Sequence, residues 1–364
     1  MKKGNKKGLS TVVTTLIIVL LVIVAIGIIW AVIGNLIRTG SEEVNTGRIS
    51  VSLDVRRVEA DASGGVNVVV KRNIGEGDLQ EVKVILSDGT NTQVVTKPLT
   101  LEELGEETIQ ISPSEITSIS FVKEASVIPF VKGSSGKMLE AGQSQKTTSK
   151  LYDGLVAWYR FEDNAEDSVG SNDGTSGDGT VTYITSFNPS LGKAGSFNGA
   201  SYFRIDDPVL GKSEMTVCAW ARMTVPISNT RSILADFMGP ENKRNYILGY
   251  QASSGTQISF YAGNGPSASS VAISGFTQNT WHFVCGLFKG NQEIRIYLDG
   301  STNSVSTTFT NIGNAQSSQS EVGAYYTDRY FIGQIDNVMF YDRALSADEI
   351  KTLRCLGDPT AVGC

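Results

Sequence analysis

The sequence predicts a mainly β chain that begins with one apolar helix. Three observations carry this. Thirty-eight glycines stand against nine prolines, a balance suited to many tight turns. Short runs of alternating apolar and polar residues recur from Ile49 onward, the period-two mark of half-buried strands. Residues 9–37 hold no charged side chain at all.

The 364 residues suffice for two or three domains. Lys and Arg total 31 against 37 Asp and Glu, a net charge of −6. That balance lacks the basic face of a nucleic-acid binder, so no nucleic-acid partner is expected. His282 is the one histidine. A multi-histidine zinc site is therefore excluded, and a histidine-based triad is open only through that residue.

Residues 1–8 read MKKGNKKG, charged only at Lys2, Lys3, Lys6 and Lys7. The 29 uncharged residues that follow end at Arg38. As a helix they would extend about 43 Å, where the hydrocarbon core of a membrane needs about 20 residues. Lysines ahead of the run place the N-terminus on the cytoplasmic side. A cleaved secretory signal has a shorter apolar stretch and a small-residue site behind it. The order here is different: a basic leader, Gly8, then Leu9-Ser10-Thr11-Val12-Val13. It resembles the class III leader of archaeal type IV pilins and archaellins, which is cut before the apolar helix. The resemblance implies processing between Gly8 and Leu9 by a membrane aspartyl protease, and assembly with other pilin-like subunits. The sequence departs from bacterial pilins in having no glutamate five residues into the mature helix. A plain membrane anchor over residues 9–40 fits the same residues.

Residues 41–48 form a polar connector. Then Ile49, Val51, Leu53 and Val55 alternate with Ser50, Ser52, Asp54 and Arg56, as in a strand with one buried face. Further strands are expected at Val66 to Lys71, Val82 to Leu86, Gln93 to Val95, Thr108 to Ile111, Ile116 to Phe121 and Val127 to Val131. Ser87-Asp88-Gly89 supplies a turn. Together they read as a small β-sandwich over residues 41–131. Residues 132–150, KGSSGKMLEAGQSQKTTSK, are poor in large apolar side chains and read as a flexible linker.

From residue 151 the strand pattern returns with more aromatics. Strands are expected at Leu155 to Phe161, Met215 to Met223, Ile233 to Asp236, Tyr246 to Tyr250, Gln257 to Ala262, Trp281 to Phe288, Glu293 to Leu298 and Phe331 to Tyr341. Asp299-Gly300 has the chemistry of a hairpin turn. Ser346, with Glu349 three residues on, is a capping box opening a short helix whose apolar side is Ile350 and Leu353. Five motifs recur in a familiar order: Leu155-Val156-Ala157-Trp158-Tyr159-Arg160-Phe161, Ala194-Gly195-Ser196-Phe197-Asn198-Gly199, Met215-Thr216-Val217-Cys218-Ala219-Trp220, Trp281-His282-Phe283-Val284 with Ile296-Tyr297-Leu298-Asp299-Gly300, and Phe331 to Val338 running into Tyr341-Asp342-Arg343-Ala344-Leu345-Ser346. In these the segment resembles the laminin G-like, concanavalin A-like jelly-roll domains. The resemblance implies two packed antiparallel sheets over residues 151–354, a short tail at 355–364, and an extracellular carbohydrate or protein ligand.

Trp158, Trp220 and Trp281 are expected in the core, and His282 in a structural role. No serine or cysteine has a second base available, and no Glu-x-Asp-x-Glu run is present. Catalysis, including glycoside hydrolysis, is therefore not expected. Domains of the resembled family often hold a calcium ion, which takes six to eight oxygens. Asp163, Asp167 and Asp336 are the candidate ligands. Tyr325, Tyr326 and Arg329, on a loop of aromatic and charged residues, are the candidate ligand-binding surface. Four cysteines in an exported chain suggest pairing. Locality favours Cys355 with Cys364 and Cys218 with Cys285, and buried free thiols remain an alternative for the second pair.

The function expected is that of a pilin-like surface protein, single-pass with its C-terminal domains outside, displaying a recognition domain for adhesion. A membrane-anchored lectin-like protein that does not polymerise is the alternative. A carbohydrate-active enzyme is the weaker one.

Overall fold

A computed structural model describes residues 51–364 except 61–64, 120, 134–135, 143, 226–230, 238–243, 251–255, 314–318 and 325–328. It also describes Val19, residues 22–24 and Ile26 of the apolar run, which are helical. The processing site at Gly8 and Leu9, the rest of the apolar run, and Tyr325 and Tyr326 lie outside the described residues. Among the described residues no helix is long and apolar enough to cross a membrane.

The first unit has eight strands: β1 (Leu53–Ala60), β2 (Val66–Arg72), β3 (Leu79–Ser87), β4 (Thr92–Pro98), β5 (Glu106–Ile111), β6 (Glu124–Lys132), β7 (Met138–Glu140) and β8 (Thr147–Thr148). They form two antiparallel sheets, β1-β2-β5 and β4-β3-β6-β7, with β8 also paired to β6. Val66, Val68 and Val70 of β2 point into one core, and Val82, Val84 and Leu86 of β3 meet them there. In β1 the apolar positions step from Leu53 and Val55 to Val58. A bulge between Val55 and Arg57 absorbs that change of parity.

Two expectations fail in this unit. Among the described residues of 116–121 no strand forms. Instead Ser112 and Glu115 close a capping box on a one-turn 3-10 helix, Pro113–Glu115. The Gln93 side chain then accepts from the amides of Thr117 and Ser118, and donates to the Glu115 carbonyl. A side chain thus meets backbone groups that a strand partner would have met. The second correction concerns residues 132–150, expected as a free linker. They return along the open edge of β6: β7 pairs over Phe130 to Lys132, and β8 over Glu124 and Ala125. Between them the Ser144 hydroxyl accepts from the Val127 amide. Met138–Glu140 and Thr147–Thr148 thus extend the sheet beyond β6, with their backbone in its ladder.

The second unit holds β9 (Leu155–Tyr159), β10 (Thr175–Ser176), β11 (Thr182–Thr185), β12 (Lys193–Asn198), β13 (Phe203–Asp206), β14 (Glu214–Met223), β15 (Arg231–Phe237) and β16 (Arg244–Tyr250). After them come β17 (Gln257–Gly263), β18 (Ala268–Ser274), β19 (His282–Lys289), β20 (Glu293–Leu298), β21 (Ser301–Ser306), β22 (Gln319–Val322), β23 (Ile332–Tyr341) and the helix α1 (Ala347–Gly357). A seven-stranded sheet runs β10-β13-β22-β15-β16-β17-β18. An eight-stranded sheet runs β11-β12-β23-β14-β19-β20-β21, with β9 also on β23. All these pairings are antiparallel, and the sheets pack face to face over Phe197, Phe203, Phe260, Phe288, Phe331 and Phe340. This is the two-sheet jelly roll that the motifs imply. Asp299 and Gly300 both take positive φ in the β20–β21 hairpin, as a tight two-residue turn requires. Ser346 caps α1 through the Glu349 amide, and Glu349 reaches back to the Ser346 amide.

The outer face of the eight-stranded sheet is buried as well. Trp158, Trp220, Phe283, Met339 and Tyr341 form a second apolar layer there, closed by Ile350 and Leu353 of α1. The first unit docks on this layer. The Phe121 ring lies 5.0 Å from that of Trp158 and 5.2 Å from that of Tyr152, and the Ser149 amide donates to the Lys123 carbonyl at 2.7 Å.

Candidate functional site

The apolar layer under α1 and the first unit lies on the eight-stranded sheet, which leaves the outer face of the seven-stranded sheet as a candidate surface. Period two decides what stands there. Phe203 and Ile205 of β13 point to the core, so Arg204 points out. Val322 of β22 points in, so Glu321 points out. The register sets Arg204 opposite Glu321, and continues through Ala235, Ile247 and Tyr261 to Ser270. One row of side-chain positions therefore crosses six strands.

The β13 end of this row is polar and aromatic. Arg204 Nε lies 3.4 Å from Glu321 Oε1, and Arg204 Nη2 donates to the Tyr202 hydroxyl at 2.6 Å. The guanidinium also lies 5.1 Å from the centre of the Tyr202 ring, which is 5.9 Å from the Tyr330 ring. Burial pushes the Glu321 carboxyl above its usual range, and the Arg204 charge opposes that rise. Gly177 lies flat on the Tyr202 ring, where a Cβ would collide with it. Tyr202 and Glu321 are themselves buried and hold Arg204 in place, so the partly exposed guanidinium and the Tyr330 ring are what this surface offers, planar hydrogen bonds beside a ring. Arg329, the described member of the predicted ligand loop, is exposed next to Tyr330.

The three predicted calcium ligands are not brought together. Asp167 Oδ1 accepts from the amides of Trp158 and Val169, each at 3.0 Å, and Oδ2 from Asn172 at 3.4 Å. It pins the loop after β9 to that strand. Asp163 pairs with Lys193 at 2.5 Å near the surface. Asp336 is fully buried: its oxygens accept from the Ser186 hydroxyl at 2.6 Å and the Asn337 amide at 2.9 Å. Burial pushes its carboxyl up to about 8, against those two hydrogen bonds. A carboxylate bonded to backbone amides, one paired with a lysine and one held in an apolar core do not make a calcium site. Among the described residues no three His, Cys, Asp or Glu side chains could share a metal ion.

Trp158 and Trp220 are buried in the outer apolar layer, and Trp281 packs against it. The Trp158 indole donates to Asn337 at 2.8 Å. His282 is buried, with Nδ1 at 2.6 Å from Asp299, and Nε2 accepts from the Thr277 amide at 3.0 Å. The ring ties the β20–β21 hairpin to the loop before β19. Both expected disulfides are present. Cys218 and Cys285 sit opposite each other in β14 and β19, and Cys355–Cys364 fastens the tail to the last turn of α1.

Sequence reading missed Tyr202, Arg204, Glu321 and Tyr330. The alternation Phe203-Arg204-Ile205-Asp206 marks a strand with Arg204 outward. Its partner Glu321, 117 residues later, has no local signal.

Residues 197–351 match the family described as the concanavalin A-like lectin/glucanases superfamily. That match agrees with the two-sheet jelly roll seen in the structure, to which β9, β10 and β11 ahead of the matched residues also belong. The chain is similar to domain 4 of AbnA, a GH43 extracellular arabinanase from Geobacillus stearothermophilus solved with arabinotriose. Identity is 21% over 55% of this chain and 97% of that one, with a TM-score of 0.45. It is also similar to the binding domain of Paraclostridial Mosquitocidal Protein 1, at 16% identity over 56% of this chain and a TM-score of 0.46. The receptor-binding domain of botulinum neurotoxin mosaic serotype C/D gives 12% over 58% and 0.45. The chain spans about half the length of these two toxin domains, 52% in each case. No curated protein matches the chain.

Proposed function

We propose that the chain is a cell-surface recognition protein whose jelly roll binds an extracellular glycan or protein ligand without chemical turnover. The observation that supports this best is the polar and aromatic cluster of Tyr202, Arg204, Glu321 and Tyr330 on the seven-stranded sheet. The partly exposed Tyr330 ring would give a sugar ring an apolar face and the Arg204 guanidinium would give its hydroxyls directed donors, with Tyr202 and Glu321 holding the guanidinium from beneath. The 29 uncharged residues after the basic leader support a membrane-inserted N-terminus with the β units outside. The leader pattern around Gly8 and Leu9 supports processing and assembly into a surface filament.

A glycan array probed with the full-length protein tests the binding half. Arg204→Ala and Tyr330→Ala should each remove the signal while melting with wild-type cooperativity. Retention of wild-type binding by both variants would reject the site. N-terminal sequencing of the membrane-extracted protein tests the other half. It should begin at Leu9, and an intact Met1 would reject processing.

A further inference from the structure

A cavity of about 430 Å³ lies between the two β units, inside the size range of small-molecule pockets, roughly 300–1,000 Å³. Its floor is the outer face of the eight-stranded sheet, with Trp158, Asn337, Met339 and Trp220 side by side. Leu353 and Leu356 of α1 form one wall. The roof comes from the first unit: Ile116 and Ile119, from the stretch that does not form a strand, with Phe121 and Val122. Neither unit encloses this space alone.

Arg160 is the one charged side chain among the described residues lining the cavity. Its guanidinium stands 5.3 Å from the centre of the Trp158 ring. The nearest carboxylate oxygen, Glu162 Oε1, is 3.9 Å away, beyond hydrogen-bond reach, and that oxygen is itself buried without a hydrogen-bond partner. The guanidinium therefore lies beside an aromatic wall, with Glu162 as a loose ion-pair partner and no hydrogen-bonded acceptor among the described residues. The other polar side chain of the floor, Asn337, is already engaged with Trp158 and Asp336. A sugar would leave most of its hydroxyls unpaired against leucine, isoleucine and methionine, at a cost for each. A body without hydroxyls, carrying a single anionic group, leaves none.

We infer that the cavity between the units is a binding site for a small amphipathic anion. Its apolar or aromatic body lies on Trp158, Met339 and Trp220, and its carboxylate meets Arg160. The occupant touches both units, so binding also ties the first unit to the jelly roll. The site is separate from the Tyr202–Arg204 cluster and stands or falls apart from it.

The test uses the full chain in phosphatidylcholine nanodiscs, with empty nanodiscs as the blank. The probes are 4-phenylbutyrate and the uncharged 4-phenylbutanol, followed by calorimetry and tryptophan fluorescence. The acid should bind saturably at one site per chain and at least tenfold more tightly than the alcohol, roughly the difference a charge-assisted hydrogen bond makes. Arg160→Gln should bring the two probes to equal affinity. Filling the cavity from either side, by Leu356→Trp or Ile116→Trp, should abolish both, and two variants guard against one that misfolds. Glycan-array signals should survive all three substitutions. Absence of saturable binding, equal affinity of acid and alcohol for the wild type, or full binding in both filled variants would each overturn the proposal.

Discussion

The two sheets of the jelly roll are built from the same strand chemistry and end in different states. In the eight-stranded sheet both faces are covered at the centre, while the edge strands β11 and β21 stay largely exposed. β14 and β23 are almost continuously buried, with polar Thr216 and Asp336 fully enclosed. The seven-stranded sheet has one covered face. β18 reads exposed, half-buried and buried in turn, and Arg204 is 43% exposed beside a Glu321 that is 11% exposed. Antiparallel sheets commonly keep one wet face, and here the second cover on the larger sheet is added by α1 and by the first unit. The doubly covered sheet is a scaffold that tolerates little change. The half-covered sheet has side chains to spare for a ligand.

The largest effect that would test this contrast is Trp220→Ala. The side chain is 4% exposed beneath α1, against Phe187 and Phe283. Loss of its packing should cost about 3–5 kcal/mol. Chemical denaturation would show it, and a cost under about 1 kcal/mol would mean that the outer layer is not a core. Next comes the tail. The Cys355–Cys364 bond closes a short loop on the same covered side. Replacing both cysteines by serine should cost about 2–3 kcal/mol in the chain-entropy model, read from the thermal midpoint.

Asp336 gives an effect that is small for each pH unit and accumulates with pH. Its carboxyl is pushed up to about 8 by burial, above its value in the unfolded chain. Folding therefore takes up a proton between the ordinary carboxylate range and about 8. This group's contribution is fully present below that window and is lost as pH rises through it, on the order of 1 kcal/mol per pH unit. Asp336→Asn keeps the shape and a donor toward Ser186, so melts between pH 5 and 8 should lose that slope. An unchanged slope would show that other groups carry it. The smallest stability effect belongs to the half-covered sheet. Arg204→Ala leaves the largely buried Glu321 without its counter-charge and should cost about 1–2 kcal/mol, more than a fully exposed ion pair would, while removing ligand binding. A large loss of stability would show that the cluster is structural.

Much of the jelly roll is legible in order along the chain. β14, β19, β20 and β23 fall within a residue or two of their expected bounds, because each is a dense apolar run closed by turn residues. The capping box at Ser346 and the hairpin turn at Asp299-Gly300 are equally local. The short strands β10, β11 and β22 have too few side chains to leave a pattern: β10 and β11 form on the edges of longer neighbours, and β22 is held between β13 and β15. Residues 116–121 have the composition of a strand, but Gln93, more than twenty residues away, takes up the neighbouring backbone groups. The candidate calcium ligands fail for a related reason. Acidic residues near one another in a loop say nothing of which amides or lysines already hold them.

By itself, the sequence determined where strands of high apolar content lie, where tight turns and one capped helix fall, and that Cys355 and Cys364 are close enough to pair. Those features depend on interactions a few residues apart, which composition and period record directly. Only the tertiary structure decided which faces are covered twice, that Met138–Glu140 and Thr147–Thr148 extend a sheet, and that Arg204 meets Glu321. It alone decided that Arg160 overlooks a cavity shared by two units. Each of these is a contact between strands or loops far apart along the chain. The cost of closing such a loop and the energy recovered on burial belong to the assembled structure, not to any stretch of residues within it.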